Sequence, residues 1–264
     1  MVKMKKDQLL NNLLIEIDRK KEKIDKARPF PKIVLDKLTE YLNIEWTYNS
    51  NAIEGNTMTR QETMLILKEG LTISGKSMRE HLEVTNHKNA IDYLKELLTK
   101  APPITQNDVK NIHGLILEGI NNKYAGKYRD VEVYISGSTH KPPMPQYLDA
   151  LMLEFSKWIV DRQEQKDSHP VIFAADAHFK LVDVHPFIDG NGRTARLLMN
   201  LILMKYGYPI AVFECESDKR QRYYSSLDLA HKGDILPFQT MVAEYVNITA
   251  DKYLESIPAK KLYS

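Results

Sequence analysis

Between Val182 and Leu203 the sequence VDVHPFIDGNGRTARLLMNLIL brings a titratable base, a carboxylate, two glycines and two arginines into one short stretch. Pro186 disfavours helical geometry at His185, so a helix reaching about Val182 must break there. Gly190 and Gly192 flank Asn191 and free the backbone to turn its N–H groups inward, an anion nest at the mouth of the next helix. Arg193 and Arg196 follow at i, i+3 spacing, where the helix dipole is already positive and each cation loses about 0.3–1 kcal/mol. A polyanion would relieve both. Asp189 offers a hard oxygen ligand for a divalent cation, and His185 a base that titrates near neutrality. Together these residues describe nucleotide chemistry.

A second phosphate-type pattern, GLTISGKS at 70–77, spells Gly, four residues, Gly, Lys, Ser. A P-loop needs a buried strand running into its first glycine. Here Thr59 and Glu62 form a capping box before Met64, Leu65, Ile66 and Leu67, so the element entering Gly70 reads as a helix. A P-loop NTPase through 70–77 is kept only as an alternative.

The elements that must position these residues are mostly helices. Leu9, Leu10, Leu13, Leu14 and Ile17 give one helical face over 8–25, and the prolines of ARPFP end it. Further helices are expected from Val34 to Ile53, with Gly55 as the stop, at about 80–98, at 106–118 behind Thr105, and at 147–162. The apolar segment from about Arg193 to Tyr206 must be central to the core. One strand is expected, VEVYI, where Val131, Val133 and Ile135 alternate with polar residues. With 264 residues, 43% of them hydrophobic, the chain can bury a sizeable core. The balance of 37 basic against 35 acidic residues gives no field to recruit nucleic acid or an anionic membrane. A single cysteine, Cys215, excludes an internal disulfide framework. The start MVKMKKDQLL lacks a signal-peptide run, and no stretch reaches the ~18 apolar residues of a span, so a cytoplasmic location is expected.

HPFIDGNGRTAR, from His185 to Arg196, resembles the full signature of the Fic/DOC family. GLTISGKSMREHLEVTNHKNA resembles the segment leading into that family's core, YRDVEVYISGSTHKPPMP its flap, and RYYSSLDLAHKGDILPF its adenine side, together covering about residues 30–246. The resemblance implies an all-α, mainly helical Fic fold with a small β-hairpin flap. The expected organisation is an N-terminal helical region at 1–75, a Fic domain at 76–246 and a C-terminal tail at 247–264. The implied activity is transfer of AMP from ATP to a Ser, Thr or Tyr hydroxyl of a protein, with a transferase using another nucleotide donor as the alternative. His185 would be the general base and Asp189 the ligand of Mg2+ or Mn2+. Gly190, Asn191, Gly192, Arg193 and Arg196 would hold the phosphates, and Tyr223, Tyr224, Leu227 and His231 the base, although His231 stands where the family more usually has Asn. A target protein would bind along the flap, 131–141. Self-modification is expected, a homo-oligomer is left open, and neither nucleic acid nor membrane is implied as a partner.

SNAIEGN, residues 50–56, resembles the inhibitory motif of autoinhibited Fic proteins, with Ser50 and Glu54 as its marked residues. Glu54 falls in the last turn of its helix, where the dipole disfavours an anion, as Arg196 lies where it disfavours a cation. A Glu54–Arg196 pair would withhold the γ-phosphate's counter-ion. Glu54 could also position water for removal of AMP.

Overall fold

The structure is a computed structural model that describes residues 2–100, 103–135, 137–165 and 167–257. Its helices are α1 (Val2–Lys26), α2 (Lys32–Ile53), α3 (Arg60–Glu69), α4 (Met78–Lys100), α5 (Gln106–Leu117), α6 (Leu148–Gln165), α7 (Pro170–Val184), α8 (Asn191–Lys205), α9 (Ser217–His231) and α10 (Leu236–Ser256). The first eight follow the periodicity of the sequence. The last two lie in a region where the sequence reading placed no helices, and α10 runs through residue 247, where a tail was expected to begin.

At the centre α7 packs on α8. Ala174, Ala175 and Ala177 are fully buried and let the α7 backbone approach closely, while Leu197, Leu198, Met199, Ile202 and Leu203 of α8 have no exposed surface. Each such large side chain contributes about 1.5–3 kcal/mol by leaving water, which anchors α8 in the core. Around this pair, α1 lies along α10, placing Ile17 in the same continuous core as Leu198 and Val242.

Local sequence sets the helix ends that matter. Thr59 caps α3 through a reciprocal box with Glu62, and Thr105 caps α5 in the same way with Asp108. Gly70, in the left-handed region at φ 65°, terminates α3. Residues 70–77 therefore connect two helices with no strand before them, and Lys76 Nζ donates to the Thr57 carbonyl at 2.5 Å. This removes the P-loop alternative. The expected β-hairpin flap is also absent: no described residue of 131–141 is in a strand. Pro142 and Pro143 carry no N–H for a ladder, and the Arg129 guanidinium takes up the carbonyls of Val131 and Pro143. The described residues of the segment form a strap held at its base by Arg129.

Candidate active site

The α7–α8 connection is bent by one residue and padded by another element. His185 ends α7 in the left-handed region at φ 49°, the following proline disfavouring a further right-handed helical residue there, and Gly190 is left-handed again at φ 76° to open α8. Inside this loop the Asn191 side chain accepts from the Phe187 N–H and donates to the Phe187 carbonyl, at 3.0 and 2.8 Å. The Asn191 side chain thus fastens the loop whose backbone N–H groups were expected to form the anion nest. Phe187 is fully buried and stacks on His113 of α5 at 3.6 Å. His113 Nδ1 accepts from the Gly126 N–H, which leaves Nε2 to donate to the Asp189 carbonyl at 3.0 Å. Burial pushes its pKa down to about 4, so this bracing imidazole is neutral.

No side chain caps α8, so the N–H groups of its first turn are open to an anion. Glu54 supplies one. A Cβ built on Gly192 would collide with Glu54 Oε1, which places the carboxylate directly against the nest. Gly192 is required for space here, and only Gly190 for its torsion. The same Oε1 accepts from Arg196 Nη2 at 2.8 Å. Arg196, 2% exposed, also donates through Nε to Ser50 Oγ, through Nη2 to the Ser50 carbonyl and through Nη1 to Tyr223 Oη. Burial opposes its charge, but the Tyr223 hydroxyl and the Glu54 carboxylate outweigh this and raise its pKa. The expected partners Ser50, Glu54 and Arg196 are therefore brought together.

Arg193 is equally buried and less well satisfied: its Nε and Nη1 have no hydrogen-bond partner among the described residues. Glu83 Oε1 lies 3.3 Å and Asp189 Oδ1 3.5 Å from its guanidinium. Buried, unpaired N–H groups beside an open helix N-terminus suit an incoming phosphate oxygen. Asp189 Oδ2 accepts from Arg79 Nη2 at 2.8 Å, while Oδ1 accepts from the Gly190 N–H. Burial pushes the carboxyl up, but Arg193, the Gly190 N–H and Arg79 hold it below its usual value. As a half-exposed ionised oxygen donor, Asp189 fits one carboxylate ligand of Mg2+, which keeps waters and takes phosphate oxygens for its other positions.

His185 Nδ1 lies 3.3 Å from the Val182 carbonyl. A carbonyl only accepts, so Nδ1 carries the proton and Nε2 keeps the lone pair. Burial depresses the His185 pKa to about 4, with Arg129 and His140 adding to the effect. Arg129 Nε donates to the His185 carbonyl at 2.9 Å and so ties the strap's base to this residue. On α9 the expected base-binding set divides. Tyr223 is buried in the core against Arg196 and His178. Tyr224 Oη donates to the Ile53 carbonyl of α2, Leu227 is 8% exposed, and His231 Nδ1 engages Asp183. Arg79, Glu83, His113 and Arg129 escaped the sequence reading because each acts on a residue far away in the chain.

A family model described as Fic/DOC family matches residues 103–203, which contain the α7–α8 loop. The chain is 39% identical over 250 residues to a protein named protein adenylyltransferase Fic from Nematostella vectensis, covering 94% of this chain and 57% of that protein. A protein of the same name from Drosophila persimilis is 42% identical over 207 residues, covering 78% of this chain and 40% of its own length. The chain thus spans about half the length of the curated relatives it matches. Among solved structures, Fic-1 (residues 134–508) from C. elegans superposes with a TM-score of 0.84 at 32% identity, covering 100% of this chain and 75% of that one. A Fic domain containing signaling protein from Bacteroides thetaiotaomicron does so at 0.84 and 26% identity, over 92% and 97% of the two chains. Sequence and backbone agree from the first helix to the last, well beyond the signature loop, and on that ground the chain belongs to the Fic/DOC family.

Proposed function

We propose that this chain is a protein adenylyltransferase that transfers AMP from ATP to a protein hydroxyl, and that Glu54 holds it inactive. The observation that carries this reading is the Glu54 carboxylate lying against Gly192 while bonded to Arg196, an anion in the place prepared for a phosphate. With Glu54 withdrawn, Arg196 and the first turn of α8 receive the outer phosphates, and the unpaired N–H groups of Arg193 stabilise the leaving pyrophosphate. His185 Nε2 takes the proton of the attacking hydroxyl. Its oxygen bonds to the α-phosphorus as the bond to pyrophosphate breaks, and a neutral imidazole is suited to that role. Mg2+, which Asp189 would hold together with the phosphates, supplies charge neutralisation when bound.

The strap at 131–141, with Tyr134 86% exposed, is the surface we assign to the target protein, including hydroxyls of another copy of this chain. No helix of the described residues is long and apolar enough to cross a membrane.

The test offers the Glu54→Gly variant each α-labelled nucleoside triphosphate with Mg2+ and measures covalent label on protein. Label from ATP alone is expected. Equal labelling from CTP or UTP would instead assign the site to a different donor.

A further inference from the structure

Three side chains outside the phosphate site converge from separate elements. His140 comes from the strap, Asp183 from the last turn of α7 and His231 from the end of α9. One ligand atom from each, imidazole nitrogen or carboxylate oxygen, falls within 4.8 Å of the others. His231 Nδ1 lies 2.9 Å and His140 Nε2 3.6 Å from the same oxygen, Asp183 Oδ1. The two imidazoles stack in parallel at 3.8 Å, so both present an edge to that carboxylate. Both rings donate N–H to Asp183, His231 to its Oδ1 and His140 to its backbone carbonyl at 2.8 Å.

We propose that His140, Asp183 and His231 form a transition-metal site, with Zn2+ as its best-suited ion, that fastens the strap to α7 and α9. Ligand atoms around tetrahedral Zn2+ stand about 3.3–3.5 Å apart, so the observed spacing needs only small side-chain rotations. To bind the metal each ring turns a nitrogen lone pair to it, the proton on that nitrogen moving by exchange with solvent to the ring's other nitrogen. Two imidazoles and one carboxylate suit Zn2+, Co2+ or Cu2+ and do not suit Mg2+, which requires a shell of oxygens, so the site is distinct in chemistry from Asp189. Three protein ligands leave a fourth position, which water can reach because Asp183 remains 45% exposed. The strap is already tethered beside the site, where Ser138 Oγ donates to Asp228 Oδ1 of α9 at 2.7 Å. Asp183 also lies two residues before His185, so a bound ion would fix the strap where a target is proposed to dock. That consequence rests on the transferase reading, whereas the metal site itself does not.

The test is direct titration of the metal-stripped full chain with Zn2+ by calorimetry, and with Co2+ by its visible absorption. One ion per chain, a tetrahedral Co2+ spectrum and no displacement by excess Mg2+ are expected. His140→Ala, on the strap and remote from the core, should weaken Zn2+ binding at least about 10-fold, and His140→Cys, which restores a ligand, should recover it. Circular dichroism of both variants reports the fold independently. Absence of Zn2+ binding to the wild-type chain, or binding unchanged in His140→Ala, would overturn the site and leave a hydrogen-bonded His–Asp–His cluster.

Discussion

His185 and Arg193 act on different parts of the reaction, and single substitutions should separate them. A neutral His185 with Nε2 free can accept a proton but has no role in holding ATP. His185→Ala should therefore lower transfer by about 10²- to 10⁴-fold in the Glu54→Gly background while leaving ATP affinity in place. Arg193 has the opposite profile. Its buried, unpaired N–H groups await a phosphate, so Arg193→Ala should weaken ATP binding by about 1.5–3 kcal/mol. Lys76→Ala should change nothing in the same calorimetric titration, because Lys76 is engaged with Thr57 in an interhelical turn. Retained labelling in His185→Ala, or a larger loss from Lys76 than from Arg193, would contradict these roles.

At the scale of elements, the loop between α7 and α8 owes its shape to α5. His113 satisfies the Gly126 N–H and the Asp189 carbonyl at once while stacking on Phe187. Replacing it by Leu keeps bulk but strands both backbone groups, at a cost of about 1–3 kcal/mol in urea unfolding. An unchanged midpoint would show that α5 does not brace the loop. The signature loop, the capping box at Thr59 and the cap at Thr105 were legible in the sequence because their partners lie within a few residues. The link of Glu54 to Arg196 was legible through the resemblance, with their unfavourable places at helix ends in support, since nothing local links positions 142 residues apart. The strand expected at VEVYI failed for a related reason: alternation fits an extended chain, but pairing needs partners, and the buried Arg129 takes the carbonyls of Val131 and Pro143. The role of the Asn191 side chain was not legible because its partners are the backbone N–H and carbonyl of Phe187. The pairing of His140 with His231 joins a loop to a helix end and left no mark in spacing.

For the whole molecule, burial of histidines couples folding to pH. His113 and His185 are pushed down to about 4, and His87 and His178 well below their usual value, chiefly by burial. An unfolded histidine titrates near 6.5, so below that pH the unfolded chain binds more protons than the folded one. This stability is fully present above pH 6.5 and is lost as pH falls through about 4. The urea midpoint should drop between pH 7.5 and 5, and a flat profile would contradict the burial of these neutral rings.

The central claim is that one carboxylate withholds the phosphate site. Removing Glu54 leaves Arg196 bonded to Ser50 Oγ, the Ser50 carbonyl and Tyr223, so the variant should remain folded with the nest vacated. The most direct measurement is the initial rate of protein labelling by α-labelled ATP for wild type, Glu54→Ala, Arg196→Ala and the double variant at equal folded concentration. If the open form lies about 1–3 kcal/mol above the closed one, Glu54→Ala should label about 5- to 150-fold faster than wild type. Arg196→Ala should show no such gain, because it also removes the partner of the γ-phosphate. A Glu54→Ala protein that is inactive, or no faster than wild type, would contradict the account.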